Sequence, residues 1–184
     1  MNKLVLGLVA GAAGIALLLV GLFSVHWVVG RDFGIDTHVG LRALELCQVV
    51  QPDLSQPGEG VCNTVSYDDI ANSPSAIEGF DTFSLLAKAT FYVGLVCCAV
   101  LLLVMLLAVA KKFPPLPIAP STLGIILSFG SVIMIVLVLA LHPWKKVGWG
   151  TGWSIMVAGG GAAACLLAAI LLGRQRPPID DNWG

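Results

Sequence analysis

Apolar positions fall in four long blocks, and polar segments separate them. The blocks divide the chain into helices at 1–25, 83–110, 122–141 and 153–173. Between and after them lie a long loop at 26–82, connectors at 111–121 and 142–152, and a tail at 174–184. A bilayer core about 30 Å thick needs roughly 20 apolar residues of helix, and each block meets that length. The blocks do not alternate as barrel strands of about ten residues do. An open sheet in lipid would leave its edges unpaired. The pattern therefore predicts four transmembrane helices. The first block follows Lys3 and could be taken for a signal peptide, but it is longer than an h-region of about 7–15 residues. It runs into His26 and Trp27, an aromatic suited to the interface, and so reads as a retained helix.

The polar loop at 26–82 has strand character at 27–33 and 43–50. Between them and later residues, Pro52, Pro57, Gly58 and Gly60 predict a turn over 51–60. A second turn or short helix is expected over 73–79. The predicted fold is an all-α transmembrane four-helix bundle. It carries a small extracellular antiparallel β-sheet, formed by the first outer loop.

Composition narrows the function classes. Of 184 residues, 57% are hydrophobic and 11% charged, too few charges for a water-facing surface. The net charge of −1 gives no basic footprint, so nucleic acid is excluded as a partner. No Asp, Glu, Arg or His lies mid-helix, which argues against a proton relay or ion-coupled transport. Lys88 lies near the outer end of the second helix, where its chain can snorkel to the interface.

Orientation rests on two observations. With the N-terminus inside, Lys3, Lys111, Lys112, Arg174 and Arg176 are inner, on short segments. Arg31, Arg42, Lys88, Lys145 and Lys146 are outer. The raw count is balanced, and Lys145 with Lys146 counts against this orientation. The rule is weak in long loops, which discounts Arg31 and Arg42. Cysteines add a second line. Cys97, Cys98 and Cys165 fall inside helices, whereas Cys47 and Cys62 are the pair in a polar loop. A disulfide there implies an oxidising compartment and puts the loop outside, with both termini cytoplasmic. The alternative is two free thiols in a reducing one. The expected location is the cell membrane, plasma or inner, as a multi-pass protein.

Small residues indicate how the helices meet, since lipid-embedded helices associate through close packing. Gly7 and Gly11 have GxxxG spacing, and Ala10 with Gly14 repeats it. Gly159, Gly160 and Gly161 lead a run of small residues in the fourth helix. Helix packing is assigned to Gly7, Gly11, Gly14, Gly159, Gly160 and Gly161. The expected partners are the lipid bilayer and other membrane proteins, or a second copy, through helices one and four and the outer loop. That loop holds nine of the eleven acidic residues, Asp68 and Asp69 among them, which makes those two candidate cation-attracting groups. A solvated acidic surface is the plainer explanation.

Catalytic readings find little support. Cys97 and Cys98 are adjacent and form no Cys-x-x-Cys, and there is no HExxH, GxSxG or P-loop. His26 and His142 end the first and third helices and could in principle hold a haem or metal. Both are ordinary interface residues beside Trp27 and Trp144. No cofactor, metal site or catalytic residue is expected.

Trp27, then Gly40-Leu41-Arg42, then Cys47 and Cys62 form a pattern that resembles the claudin-like superfamily. That group includes claudins, peripheral myelin protein relatives and calcium-channel gamma subunits. The long first and short second outer loops match, as does the segment Val147-Gly148-Trp149-Gly150-Thr151-Gly152-Trp153 entering the glycine-rich fourth helix. The chain departs from the family where Arg42 replaces the Trp of Gly-Leu-Trp, in wider cysteine spacing, and in a C-terminus without a hydrophobic end residue. The resemblance implies an antiparallel sheet resting on the bundle, with Trp27, Gly40 and Leu41 at its base and Cys47–Cys62 bridging two strands. It implies a non-enzymatic interaction protein, an accessory subunit or self-associating component, or else a barrier or cation-selective channel former.

Overall fold

The computed structural model describes residues 3–32, 35–49, 60–71, 80–110, 120–141 and 149–173. Four helices dominate it: α1 (Lys3–Phe23), α3 (Phe80–Ala110), α4 (Pro120–Leu141) and α5 (Trp153–Gly173), with a short α2 (Tyr67–Ala71) between α1 and α3 in sequence. All four long helices are long and apolar enough to cross a membrane. The strands are β1 (Val28–Asp32), β2 (Ile35–Val39), β3 (Ala43–Val49), β4 (Gly60–Ser66) and β5 (Trp149–Thr151). They form one sheet in the order β4-β3-β2-β1-β5, and every neighbouring pair is antiparallel.

The glycines of α1 recur three to seven residues apart, so they share one face: Gly7, Gly11, Gly14 and Gly21 are buried with Leu18 and Leu22. That face lies on α5, and the helices run antiparallel. Gly7 meets Leu172, Gly14 meets Cys165 and Gly21 meets Ala158, so seven residues along one helix match seven along the other. The backbones are close enough that a Cβ on Gly14 would sit 2.8 Å from the Cys165 backbone nitrogen. In lipid such contact stands in for the hydrophobic gain available in water. On α5, Gly161 joins the same seam. Gly159 and Gly160 differ: among the described residues, a Cβ on either would meet no atom beyond its own stretch of helix within 4 Å. The three glycines thus sit at different helical phases, and one of them makes the seam.

α4 packs on α3 and α5. Its buried serines bond within the bundle: Ser128 Oγ donates to Gly124 O at 2.8 Å, and Ser131 Oγ to Leu127 O at 2.9 Å. Back-bonding to the preceding turn gives each hydroxyl proton an acceptor within its own helix.

Several boundaries differ from the sequence expectation. α3 starts at Phe80 rather than 83, because Phe80 is buried and its ring stacks edge-on to Tyr67 at 5.4 Å. The polar Asp81 and Thr82 hid that turn. Of the turn expected over 51–60, residues 51–59 lie outside the described residues, and Gly60 pairs with Val49 in β4. The sheet is not built from the first loop alone: β5 comes from the second connector and pairs with β1. The segment 73–79, the connector at 111–119, His142, Lys145, Lys146, Arg174 and Arg176 lie outside the described residues.

Candidate functional site: the sheet and its junction with the bundle

The sheet is fixed to the helices through one large aromatic. Trp27 is fully buried, and its indole N–H donates to Gly21 O at 2.7 Å. That carbonyl belongs to the last turn of α1, where no intrahelical donor remains, so the indole caps the helix. The Trp27 backbone N–H donates to Val39 O at 2.9 Å, and its carbonyl accepts from Gly152 N at 2.9 Å. One residue therefore joins α1, the edge of β2 and the entry to α5. Ser154 N–H donates to His26 O, and Ser154 Oγ donates to Ser24 Oγ at 2.7 Å, which adds a polar clasp beside it.

Gly40 and Leu41 lie at the same base. Leu41 is buried, and Gly40 N–H donates to Ala43 O at 2.9 Å to close the β2–β3 turn. The Tyr67 hydroxyl donates to Gly40 O, a bond between residues far apart in sequence. Burial pushes the Tyr67 phenol above its ordinary pKa, because a phenolate there would lose its hydration. Tyr67 also packs edge-on to Phe83 at 6.1 Å, which ties α2 and the sheet turn to α3.

Cys47 and Cys62 stand directly opposite each other in β3 and β4 and form a disulfide 15 residues apart in sequence. Closing a loop of about 15 residues stabilises by roughly 3 kcal/mol in the chain-entropy account. Glu45 lies near both sulfurs, and these three form the one close group of potential metal ligands among the described residues. With both sulfurs bonded to each other, that group offers a single carboxylate and no thiolate.

The acidic candidates are placed separately. Asp69 is exposed in α2 and engaged with Ser66: its carboxylate accepts from Ser66 Oγ at 2.6 Å, and its N–H donates to Ser66 Oγ at 3.2 Å. Ser66 Oγ thus caps the start of α2 by accepting the Asp69 N–H, and its hydroxyl proton goes to the Asp69 carboxylate. The Asp68 side chain lies outside the described residues. Asp36 is held by two hydrogen bonds from the Arg31 guanidinium, the Nη2 one at 2.7 Å. The hydrogen bond from Arg31 holds the Asp36 carboxyl below its usual range, and Asp36 raises Arg31 in turn.

His26 was a candidate with His142; the described partner of His26 is instead His38, with ring centroids 4.6 Å apart, and Trp153 at 5.8 Å. Sequence reading did not single out His38 or Tyr67, since each depends on a contact across elements. Cys97, Cys98 and Cys165 are free and buried inside the bundle, and Cys97 Sγ lies 3.4 Å from Ser128 Oγ. Thiols so placed act as small apolar residues with a weak polar edge.

No family model matches the chain, and no curated protein matches it in sequence.

Proposed function

We propose that the chain is a non-enzymatic multi-pass membrane protein that acts through protein contacts, as an accessory subunit or self-associating component of a larger membrane assembly. The observation that carries this reading is the division of small residues on α5. Gly161 is used up in the seam with α1, while Gly159 and Gly160 face open space. Around them Met156, Gly160, Ala163 and Leu167 form an exposed stripe at helical spacing. Close approach of another helix is the use such a surface has in lipid. Four long apolar helices with an antiparallel sheet and a disulfide are compatible with a claudin-like fold, and we assign the chain to that superfamily as a distant member. In this reading the sheet is extracellular and both termini are cytoplasmic, since a disulfide persists in oxidising compartments.

The test is affinity purification from native membranes in mild detergent, with mass spectrometry of what is retained. Stoichiometric recovery of other membrane proteins, or of a homo-oligomer that Gly160→Leu dissolves, is expected. Recovery of a monomer alone contradicts the reading. A second reading, a barrier or cation-selective channel, draws on the acidity of residues 26–82. Neutralising Asp69 and Glu45 would then lower cation over anion permeability across a reconstituted layer. Under the first reading it leaves permeability unchanged.

A further inference from the structure

The residue that departs most plainly from the family pattern, Arg42, stands in a cavity whose chemistry is unaccounted for. The cavity has a volume of about 340 Å³ and lies where the end of α1 meets the β2–β3 turn and β4. Its polar wall includes Arg42, Ser24, Thr64 and Ser66, and its apolar wall includes Phe23 and Leu41. Arg42 is exposed, and among the described residues it has no carboxylate partner. Its guanidinium lies over two rings, 5.3 Å from the centroid of Phe91 and 5.8 Å from that of Phe23. Cation–π contact with both rings fixes the charge in place and leaves its outward N–H donors unused.

The height of this site follows from helix length. α3 has 31 residues, about 46 Å at 1.5 Å per residue, which exceeds a hydrocarbon core of about 30 Å. Its uncharged stretch begins after Lys88, so the boundary between water and hydrocarbon falls near Phe91. Phe91 meets Phe23, in the last turn of α1, edge-on at 5.1 Å. Both helices thus cross the boundary at the level of the Arg42 rings. Phe23 is exposed, and so is Tyr92, whose ring is 5.7 Å from that of Phe91.

We propose that this cavity binds the phosphate of an anionic phospholipid, with Arg42 as its charge partner and the Ser24 and Thr64 hydroxyls as hydrogen-bond donors. Charge complementarity selects an anion. The aromatic surface directly below selects one that carries acyl chains. Among the described residues no carboxylate lines the cavity to receive the ammonium of a zwitterionic headgroup, which favours a net negative lipid.

The proposal rests on the reading of α1 and α3 as membrane-spanning, so that reading is tested first and separately. Membranes containing the chain are washed in alkaline carbonate; release of the chain would end both. The lipid site is then tested by native mass spectrometry of the full chain in mild detergent. The chain is titrated with phosphatidylglycerol or phosphatidylcholine of identical acyl chains. The expected result is preferential retention of phosphatidylglycerol. Arg42→Gln should lower that retention about fivefold, the factor that one cationic side chain near an anionic surface contributes. Arg42→Lys should keep part of the preference, which separates lost charge from lost folding. Arg31→Gln, on a cation already paired with Asp36, should behave as wild type. Equal retention of both lipids, or an Arg42→Gln variant that keeps the preference, overturns the proposal. So does displacement of the lipid by excess inorganic phosphate, which would make the cavity a site for free anions.

Discussion

Gly21→Ala puts one methyl group into a close part of the α1–α5 seam. A Cβ there would lie 2.6 Å from the Ala158 Cβ, 2.7 Å from its nitrogen and 2.8 Å from its Cα. Carbon atoms pack best at about 3.5–4.0 Å, so the helices must part locally by about 1 Å. Two of the three obstructing atoms are backbone, and no rotamer change relieves them. Overpacking of this kind destabilises by about 1–3 kcal/mol. The same substitution raises helix propensity by up to about 1 kcal/mol, which masks part of the loss. Gly160→Ala supplies the control: it carries the same propensity gain and meets nothing within 4 Å. The propensity terms cancel between the two variants, so Gly21→Ala should be less stable than Gly160→Ala by about 1–3 kcal/mol. Unfolding of each purified variant by a denaturing detergent, followed by tryptophan fluorescence, measures the difference. Trp27 reports directly, since its indole bonds the Gly21 carbonyl. Equal midpoints for the two variants would refute the seam.

Further expectations follow from the junction. Trp27→Phe keeps most of the buried ring but leaves Gly21 O without its donor, and should destabilise by about 1–3 kcal/mol in the same assay. Cys47→Ser with Cys62→Ser should lower the stability of the sheet by about 3 kcal/mol and leave the long helices intact; limited proteolysis confined to residues 26–79 would register it. Alkaline titration should release α2 from the sheet. The Tyr67 folded pKa is raised, so its contribution is complete below the ordinary value of 10 and is lost as pH rises above it. Near-ultraviolet difference spectra resolve this, and Tyr67→Phe should abolish the late-titrating phenol. At the acid end, Asp36 is held below its ordinary 3.8, so the contribution of its pairing with Arg31 is full above that value and is lost as pH falls through the lower folded value. Arg31 is exposed and Asp36 half-buried, so the pair is largely screened by water and Asp36→Asn should change stability little at neutral pH.

The helices were legible because a span of about 20 apolar residues has few other uses. The strands β1 and β3 were legible from β-branched and apolar runs. β5 was not: three residues, Trp149–Thr151, give no periodicity, and their place in the sheet depends on β1 more than a hundred residues earlier. Gly30 sits opposite Trp149 with no room for a side chain against its ring, a complementarity visible only in space. The packing role of Gly7, Gly11 and Gly14 could be read from spacing, because three glycines three or four apart must share a face. Three consecutive glycines on α5 gave no phase, so Gly159 and Gly160 could not be told from Gly161. Asp69 looked like part of an acidic field, yet its carboxylate holds the Ser66 hydroxyl that caps α2. Only the local hydrogen bonds separate those two roles.

The arrangement of a disulfide-closed sheet outside a four-helix bundle is tested most directly by side-specific thiol labelling of intact cells. A membrane-impermeant reductant followed by an impermeant maleimide should label Cys47 and Cys62 without permeabilisation, while omission of the reductant leaves both unlabelled. Cys97, Cys98 and Cys165, buried in the bundle, should stay unlabelled throughout. Labelling of Cys47 and Cys62 only after the membrane is opened, or without any reductant, would contradict the account.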